Sequence, residues 1–416
     1  MKATIHKLLI QIGAHFPDTP FAVQYWTGET ARYGHGEPAF TLILRSPGAV
    51  KRALRDGSLG FAEEYVAGNI EVQGDLQALL KFQTAPIYDA AQLSLWEKFK
   101  FLVSAMLTRD TIGRAKKNVA HHYDLGNEFY RLWLDETMTY TCAYFRMPDD
   151  TLEEAQRNKH EHICRKLRLQ PGQTLVDIGC GWGAMMFYAA ENYGVTCVCY
   201  TLSERQYEWV REEIERRGLQ GRVSIFLKDY REAEGQFDRF VSIGMFEQVG
   251  KPFIPTFFKK VKRLLKPGGT GVLHTIGGRR SLPNNPWIEK YIFPGGYIPT
   301  LDEMINAMNA VDLNAHDLED LRLHYVETLD QWRHRFNRRL PAVVEMYDEE
   351  FVRRWRLYLN AAAVQFRHGE THLYQIAFVN GRDNSLPRTR DYLYAANDAG
   401  AYFKLPVYDT ERGIVR

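Results

Sequence analysis

The sequence predicts an α/β protein built on a doubly wound, mostly parallel sheet, with a small N-terminal α+β domain ahead of it. Three observations carry that reading. From about residue 160 onward, short apolar runs alternate with helix-period segments, as in successive βαβ units. A glycine-rich stretch, Gly179 to Gly183, follows the first of these runs and opens a helix. The chain has 416 residues, more than one ordinary core holds, so two or three compact units are expected.

Taken in order, residues 1–90 mix short β-like runs such as Phe40 to Arg45 with turns at Pro17-Asp18, Gly34 to Pro38 and Pro47-Gly48. Gly74-Asp75 leads into a short helix around Leu76 to Phe82. No catalytic constellation falls there, so the interval reads as an accessory domain, for which lipid binding is an open role. Residues 91–120 form a connector with a broad apolar face that includes Leu95, Trp96, Phe99 and Val103. Two readings stay open: an interfacial helix at a lipid surface, or a helix packed between domains. Residues 121–416 hold the α/β body. Its strands are expected at Thr174 to Ile178, Val195 to Tyr200, Val223 to Leu227, Arg239 to Ile243 and Thr270 to Thr275. Helices are expected at Ala184 to Tyr193, after an N-cap at Ser203 as far as Gly218, and at Phe257 to Leu265. Lys266-Pro267-Gly268-Gly269 is expected to close the last of these.

Composition narrows the function. A 45% hydrophobic and 25% charged chain is globular, and a net charge of +2 argues against a nucleic-acid binder, which usually carries a large basic excess. No apolar run reaches the length of a membrane span, and Lys7 and His6 interrupt the N-terminal apolar stretch, so no signal peptide is expected. The five cysteines, Cys142, Cys164, Cys180, Cys197 and Cys199, lack a disulfide framework and read as reduced thiols. His160 and His162 diverge on a helix and His121-His122 has no matching cluster, so no metal is expected.

The loop Asp177-Ile178-Gly179-Cys180-Gly181-Trp182-Gly183 lets the backbone turn tightly and approach a ligand at a helix N-terminus. Gly179, Gly181 and Ala184 also fit a dinucleotide fingerprint. Two features tilt away from it. Gly183 makes the glycines alternate, and the next strand ends in Thr201-Leu202-Ser203 without a ribose-binding carboxylate.

The D-x-G-x-G-x-G loop resembles that of class I S-adenosylmethionine-dependent methyltransferases. The wider motif set resembles the cyclopropane-fatty-acid-phospholipid synthases and mycolic acid cyclopropane synthases. It includes His122 to Asn127, Met138 to Phe145, Thr201-Leu202-Ser203 with Gln206, Gly244 to Glu247, Leu273 to Gly277, Tyr291 to Gly296 and Leu323-His324-Tyr325. The likeness spans roughly residues 115–380, and implies the class I methyltransferase fold. It implies that Tyr140, Thr141, Asp177, Gly179, Cys180, Gly181, Gly183, Thr201, Leu202, Ser203, Gln206, Asp229 and Tyr230 hold S-adenosylmethionine. The chemistry of these residues suits that role: Thr201, Ser203 and Gln206 offer hydroxyl and amide partners for a ribose, and Asp229 an acceptor for an adenine amino group. Helix capping is an equal reading for Ser203.

The family reaction moves the sulfonium methyl onto a cis double bond of an acyl chain in a phospholipid, and proton loss from that methyl closes a cyclopropane ring. The resemblance implies that a bicarbonate ion takes the proton, held by Cys142, Glu247, His274, Ile276 and Tyr325. Tyr325 and His274 are potential donors, Glu247 an acceptor, and backbone N–H groups at Cys142 and Ile276 complete a shell. Cys142 reads equally as a small buried thiol, and His274 as a satisfied core histidine. Gln248 departs from the histidine common in the family and cannot carry charge.

Two other functions remain open: a methyltransferase of this fold that makes a methyl branch or methylates an amine, and a catalytically silent lipid-binding protein. Expected partners are an unsaturated phospholipid bilayer and, as in long family members, a second copy of the chain. Arg279-Arg280 and the arginines between Arg333 and Arg356 offer clusters for anionic head groups, or a solvated face paired with Glu345, Glu349 and Glu350. The expected location is the cytoplasm, peripherally on the inner face of the cytoplasmic membrane.

Overall fold

The computed structural model describes residues 2–84 and 125–394, together with two short paired strands, Tyr408–Asp409 and Ile414–Val415. The connector expected at 91–120 and the motif residues His122 to Asp124 lie outside the described residues. The chain divides into two compact units. One gathers residues 1–109 with Arg280–Ile298 and Leu329–Thr371; the other gathers residues 110–279 with Pro299–Thr328 and the segment from His372.

The first unit carries a four-stranded sheet in the order β2-β1-β3-β4, with β1 at Phe21–Gln24, β2 at Thr30–Tyr33, β3 at Phe40–Leu44 and β4 at Ile70–Gly74. Phe21, Val23 and Phe40 point into a core shared with Ile5, Leu9 and Ile12 of the helix Lys2–His15 and with Phe82. The helix Pro47–Val66 starts where the Ser46 side chain accepts from the N–H of Ala49 at 3.1 Å, with Pro47 supplying its fixed φ at the first turn. Arg353, one of the arginines considered for head groups, instead donates to the carbonyls of Tyr65 (2.8 Å) and Ile70 (3.3 Å). Arg354 pairs with Glu350 at 2.7 Å, as the solvated-face reading requires.

The second unit is built on a seven-stranded sheet in the order β10-β11-β9-β8-β5-β6-β7. Its strands are β5 (Thr174–Ile178), β6 (Thr196–Thr201), β7 (Val223–Leu227), β8 (Phe237–Ile243), β9 (Leu265–Gly278), β10 (Leu313–Asp320) and β11 (Thr371–Asn380). The five strands from β9 to β7 run parallel, and β10 pairs antiparallel with β11. Helices cover both faces, which is why β5 reads as a continuous apolar run, with every residue from Leu175 to Ile178 buried. The helix Ala184–Tyr193 packs Met186, Ala189 and Ala190 into the core under β5 and β6. From β5 the chain steps outward to β6 and β7, then returns to the other side of β5 with β8 and β9. The carboxyl ends of β5 and β8 therefore form the switch point at which ligands bind in such sheets.

One expected element differs. Lys266 to Gly269 does not close a helix as a separate turn but belongs to β9, which begins at Leu265 directly after the helix Ile254–Leu264. Leu265 pairs with Phe237 and Thr270 with Arg239, so the Pro-Gly-Gly stretch is taken up as a bulge opposite Asp238. Lys266 then reaches back to Asp238 at 2.8 Å.

Candidate active site

At the switch point a cavity opens, walled by the loop after β5, the ends of β6 and β7, the turn after β8 and the strip Met138 to Thr141. The loop glycines serve different ends. A Cβ on Gly179 (φ 84°) would sit 2.4 Å from the Met245 Cβ, so this glycine lets the β5 loop meet the β8 turn. Gly183 (φ 83°) caps the helix Ala184–Tyr193 behind the cavity, against Phe187 and Val210. Gly181 alone of the three has open space where a side chain would be.

Of the residues expected to hold the cofactor, Tyr140, Thr141, Asp177, Gly179, Cys180 and Gly181 line this cavity, as do Thr201, Leu202, Gln206, Asp229 and Tyr230. Gly183 and Ser203 are not among the lining residues. Ser203 caps the helix Glu204–Arg216, its hydroxyl accepting from the Gln206 N–H at 3.3 Å. The Thr201 hydroxyl donates to Gln206 Oε1 at 2.9 Å, which leaves the Gln206 amide N–H groups as donors at the β6 tip. Asp229 is already in use: Arg231 donates to its two carboxylate oxygens at 2.7 and 2.8 Å. Oδ1 also accepts from the Arg231 main-chain N–H at 2.9 Å, so it is Oδ2 that keeps a further lone pair for a ligand.

A second group lies at the ends of β8 and β9. Glu247 stands in the turn after β8, between the cavity-lining residues Met245 and Gln248. Its Oε1 accepts from the Ile276 N–H at 2.6 Å, while Oε2 is buried without a partner. Burial raises the Glu247 carboxyl above its ordinary range, opposed by the Ile276 N–H. The Ile276 N–H, expected to meet an anion, is thus engaged by the carboxylate instead. His274, 1% exposed on β9 opposite Ile243, receives the Gln375 amide on Nδ1 at 3.0 Å, and its Nε2 is buried without a partner. Burial holds its pKa well below the usual imidazole value, with nearby Lys159 and Lys166 adding to the effect. A neutral ring whose Nδ1 accepts from Gln375 carries its proton on Nε2, so the unfilled atom is a donor.

Cys142 and Tyr325 share a different anchor. The carbonyl of Leu321 lies 3.9 Å from Cys142 Sγ and accepts from the Tyr325 N–H at 3.1 Å. The Leu321 N–H donates at 2.7 Å to Leu373 on β11, the strand that carries Gln375. Cys142 is fully buried, and burial pushes its thiol above the ordinary range, so it is no thiolate nucleophile at neutral pH.

Three residues of this region went unremarked in the sequence. Gln375 sets the His274 tautomer. Gln156 and Lys159, on the helix Leu152–Leu167, hold the strip that forms the cavity wall. Gln156 donates to the Thr141 carbonyl at 2.9 Å and Lys159 to the Thr141 hydroxyl at 2.8 Å. Lys159 is wholly buried and lines the cavity; burial pulls its ammonium down to about 7. Asp177, 1% exposed, has Oδ1 without a partner, and burial pushes it up to about 8.

The strand order and the switch-point cavity define a class I S-adenosylmethionine-dependent methyltransferase. Residues 111–376 match the mycolic acid cyclopropane synthetase family, and residues 8–89 match a domain of unknown function, DUF7884. The chain belongs to the mycolic acid cyclopropane synthetase family. It is 37% identical over 353 residues to the cyclopropane-fatty-acyl-phospholipid synthase of Escherichia coli, covering 85% of this chain and 91% of that one. It is 32% identical to a probable fatty acid methyltransferase of Pseudomonas putida, covering 90% and 96%. Among solved structures, the mycolic acid cyclopropane synthase CmaA1 complexed with SAH and CTAB superposes with a TM-score of 0.61 at 36% identity, covering 64% of this chain and 98% of that one.

Proposed function

We propose that the protein transfers the methyl group of S-adenosylmethionine to the cis double bond of an unsaturated acyl chain in a phospholipid, and closes a cyclopropane ring. The observation that carries the proposal is the pair of unfilled buried atoms at the β8–β9 ends, Glu247 Oε2 and His274 Nε2. One is an acceptor and the other a donor, which is the complement of a small oxyanion bearing one O–H. Bicarbonate fits that pair, and when bound supplies the base for the proton on carbon.

The chain's own residues do the rest. The cavity aligns the sulfonium with the reacting carbon, since an alkene is a weak nucleophile and gains most from alignment. Ile276 fixes the Glu247 rotamer, and Gln375 fixes the donor nitrogen of His274. Tyr325 adds a hydroxyl, and Cys142 contributes through its place in the 138–145 strip. Phe246, packed on Phe257 and Phe258, seals the turn from below and helps exclude water that would trap a carbocation.

The enzyme works on the bilayer from its surface. No described helix is long and apolar enough to cross a membrane. Exposed Val344 and Met346 follow Arg338 and Arg339 in sequence, apolar and cationic residues of the kinds that meet an anionic surface. The location that fits is the inner face of the cytoplasmic membrane.

A second reading, a methyl-branched acyl product, is favoured by Gln248 on the cavity wall, where the family pattern has a residue able to carry charge. Product analysis separates the two. Purified protein is incubated with S-adenosylmethionine and vesicles of a cis-unsaturated phospholipid, and the acyl esters are resolved by gas chromatography–mass spectrometry. A cyclopropane ester supports the proposal; a methylated ester that retains its unsaturation, or unchanged substrate, counts against it.

A further inference from the structure

Lys159 has no assigned part in the reaction, yet it is the wholly buried ammonium on the wall of the cofactor cavity. Its Nζ has a single acceptor among the described residues, the Thr141 hydroxyl at 2.8 Å. No carboxylate of the described residues lies within ion-pair distance of it. Asp135, the nearer acid by charge effect, is engaged elsewhere: its two oxygens accept from the N–H groups of Thr137 and Thr139, each at 2.9 Å, and from the Thr137 hydroxyl. Asp177 leaves Oδ1 buried and unfilled on the same cavity wall. The site therefore lacks one anion for a buried cation and one donor for a buried acid.

The cavity's other end is different in kind. At the β6 tip the partners are the neutral Thr201 and Gln206. A ligand that matches both ends carries a neutral hydroxylated portion and, toward β5 and the 138–141 strip, a carboxylate beside an ammonium.

We propose that Lys159 binds the carboxylate of the α-amino acid end of S-adenosylmethionine, beside Asp177, which the family resemblance already implies among the cofactor-binding residues. The inference rests on the reading of the cavity as the cofactor site. Gln156, one helical turn before Lys159, holds the Thr139 and Thr141 carbonyls, so the strip is fixed independently of the ammonium. Removal of the Lys159 charge is then expected to affect the carboxylate contact more than the wall itself.

The test compares two ligands by isothermal titration: S-adenosylhomocysteine and its decarboxylated analogue S-adenosyl-3-thiopropylamine, which lacks only the carboxylate. In the wild type the carboxylated ligand binds more tightly. In Lys159→Met its affinity falls by about tenfold to a hundredfold, the range of one charge-assisted hydrogen bond, while the analogue changes by less than about twofold. Lys159→Arg keeps the preference. Equal weakening of both ligands, or no change in either, overturns the assignment. Failure of the wild type to bind either ligand overturns the cofactor reading itself.

Where Lys159→Met does not fold, a pH series gives the same answer. The groups facing Lys159 are Asp135, Cys142, Asp177, His160 and His274. Asp177 faces the ammonium that both ligands share, but its charge also favours protonated Lys159, so the pH series is run in Asp177→Asn, where that influence is absent. With free Lys159 at about 7, the preference for the carboxylated ligand shrinks as pH rises above that value. A preference constant with pH overturns the inference.

Discussion

The Ile276 main-chain N–H donates to Glu247 Oε1 across 2.6 Å, and the second oxygen of that carboxylate is buried without a partner. Adjacent strand ends thus hold an acid in one orientation and leave half of it for a ligand. Glu247→Gln keeps the shape and replaces an acceptor by an amide. Ring formation is expected to fall by about a hundredfold or more, as for loss of an acid–base partner, with S-adenosylhomocysteine affinity held within about twofold. Loss of cofactor affinity in the titration contradicts the role.

Gln375 acts on His274 from β11 through one hydrogen bond of 3.0 Å. Gln375→Leu leaves Nδ1 buried without a donor, at a stability cost of about 1–3 kcal/mol. Melting temperature therefore drops, and kcat falls while the KM for S-adenosylmethionine stays level. An unchanged kcat in a folded variant shows that the tautomer does not matter.

Gly179→Ala places a methyl where the Met245 side chain already stands, in a backbone conformation with φ 84°. The β5 loop and the β8 turn cannot both keep their positions. Reduced cofactor binding is expected in calorimetry, whereas Gly181→Ala, with open space at its Cβ, loses less. The reverse order refutes the division of roles among the glycines.

Asp177 sets a pH dependence whose sign is fixed. Burial moves its carboxyl from the ordinary 3.8 to about 8 in the fold. A raised acid favours the protonated folded state, so its contribution is full below 3.8 and is lost as pH rises through about 8. Asp177→Asn removes this term. Without cofactor, the variant is expected to gain melting temperature relative to wild type from pH 5 to pH 8 and level off above. A difference flat with pH contradicts the burial argument.

Much of the α/β body was legible from local pattern, because strands buried on both faces read as unbroken apolar runs. Thr174–Ile178 and Val223–Leu227 begin and end where the sequence places them. The Pro-Gly-Gly stretch misled for a physical reason: such residues usually punctuate, and here they form a bulge within β9. Lys159 and Gln156 were hidden in a helix rich in charge, whose buried face also carries Ala155, Ile163 and Cys164. Their spacing relative to those apolar residues was the available signal. Gln375 lay in an apolar run, where a buried polar residue demands a partner that only the neighbouring strand reveals. Local periodicity likewise carries no trace of Arg280–Ile298 and Leu329–Thr371 gathering with the N-terminal segment.

The central claim is that the transferred methyl loses a proton and becomes a ring carbon. It is tested most directly with S-adenosylmethionine carrying a fully deuterated methyl group and vesicles of a cis-unsaturated phospholipid, with the acyl product read by mass spectrometry. Cyclopropane closure predicts a product that keeps two of the three deuterium atoms. A product that keeps all three, as an unsaturated methyl branch formed by proton loss from the acyl chain would, contradicts the account, and so does a two-deuterium product that chromatography identifies as an exo-methylene ester and not a ring.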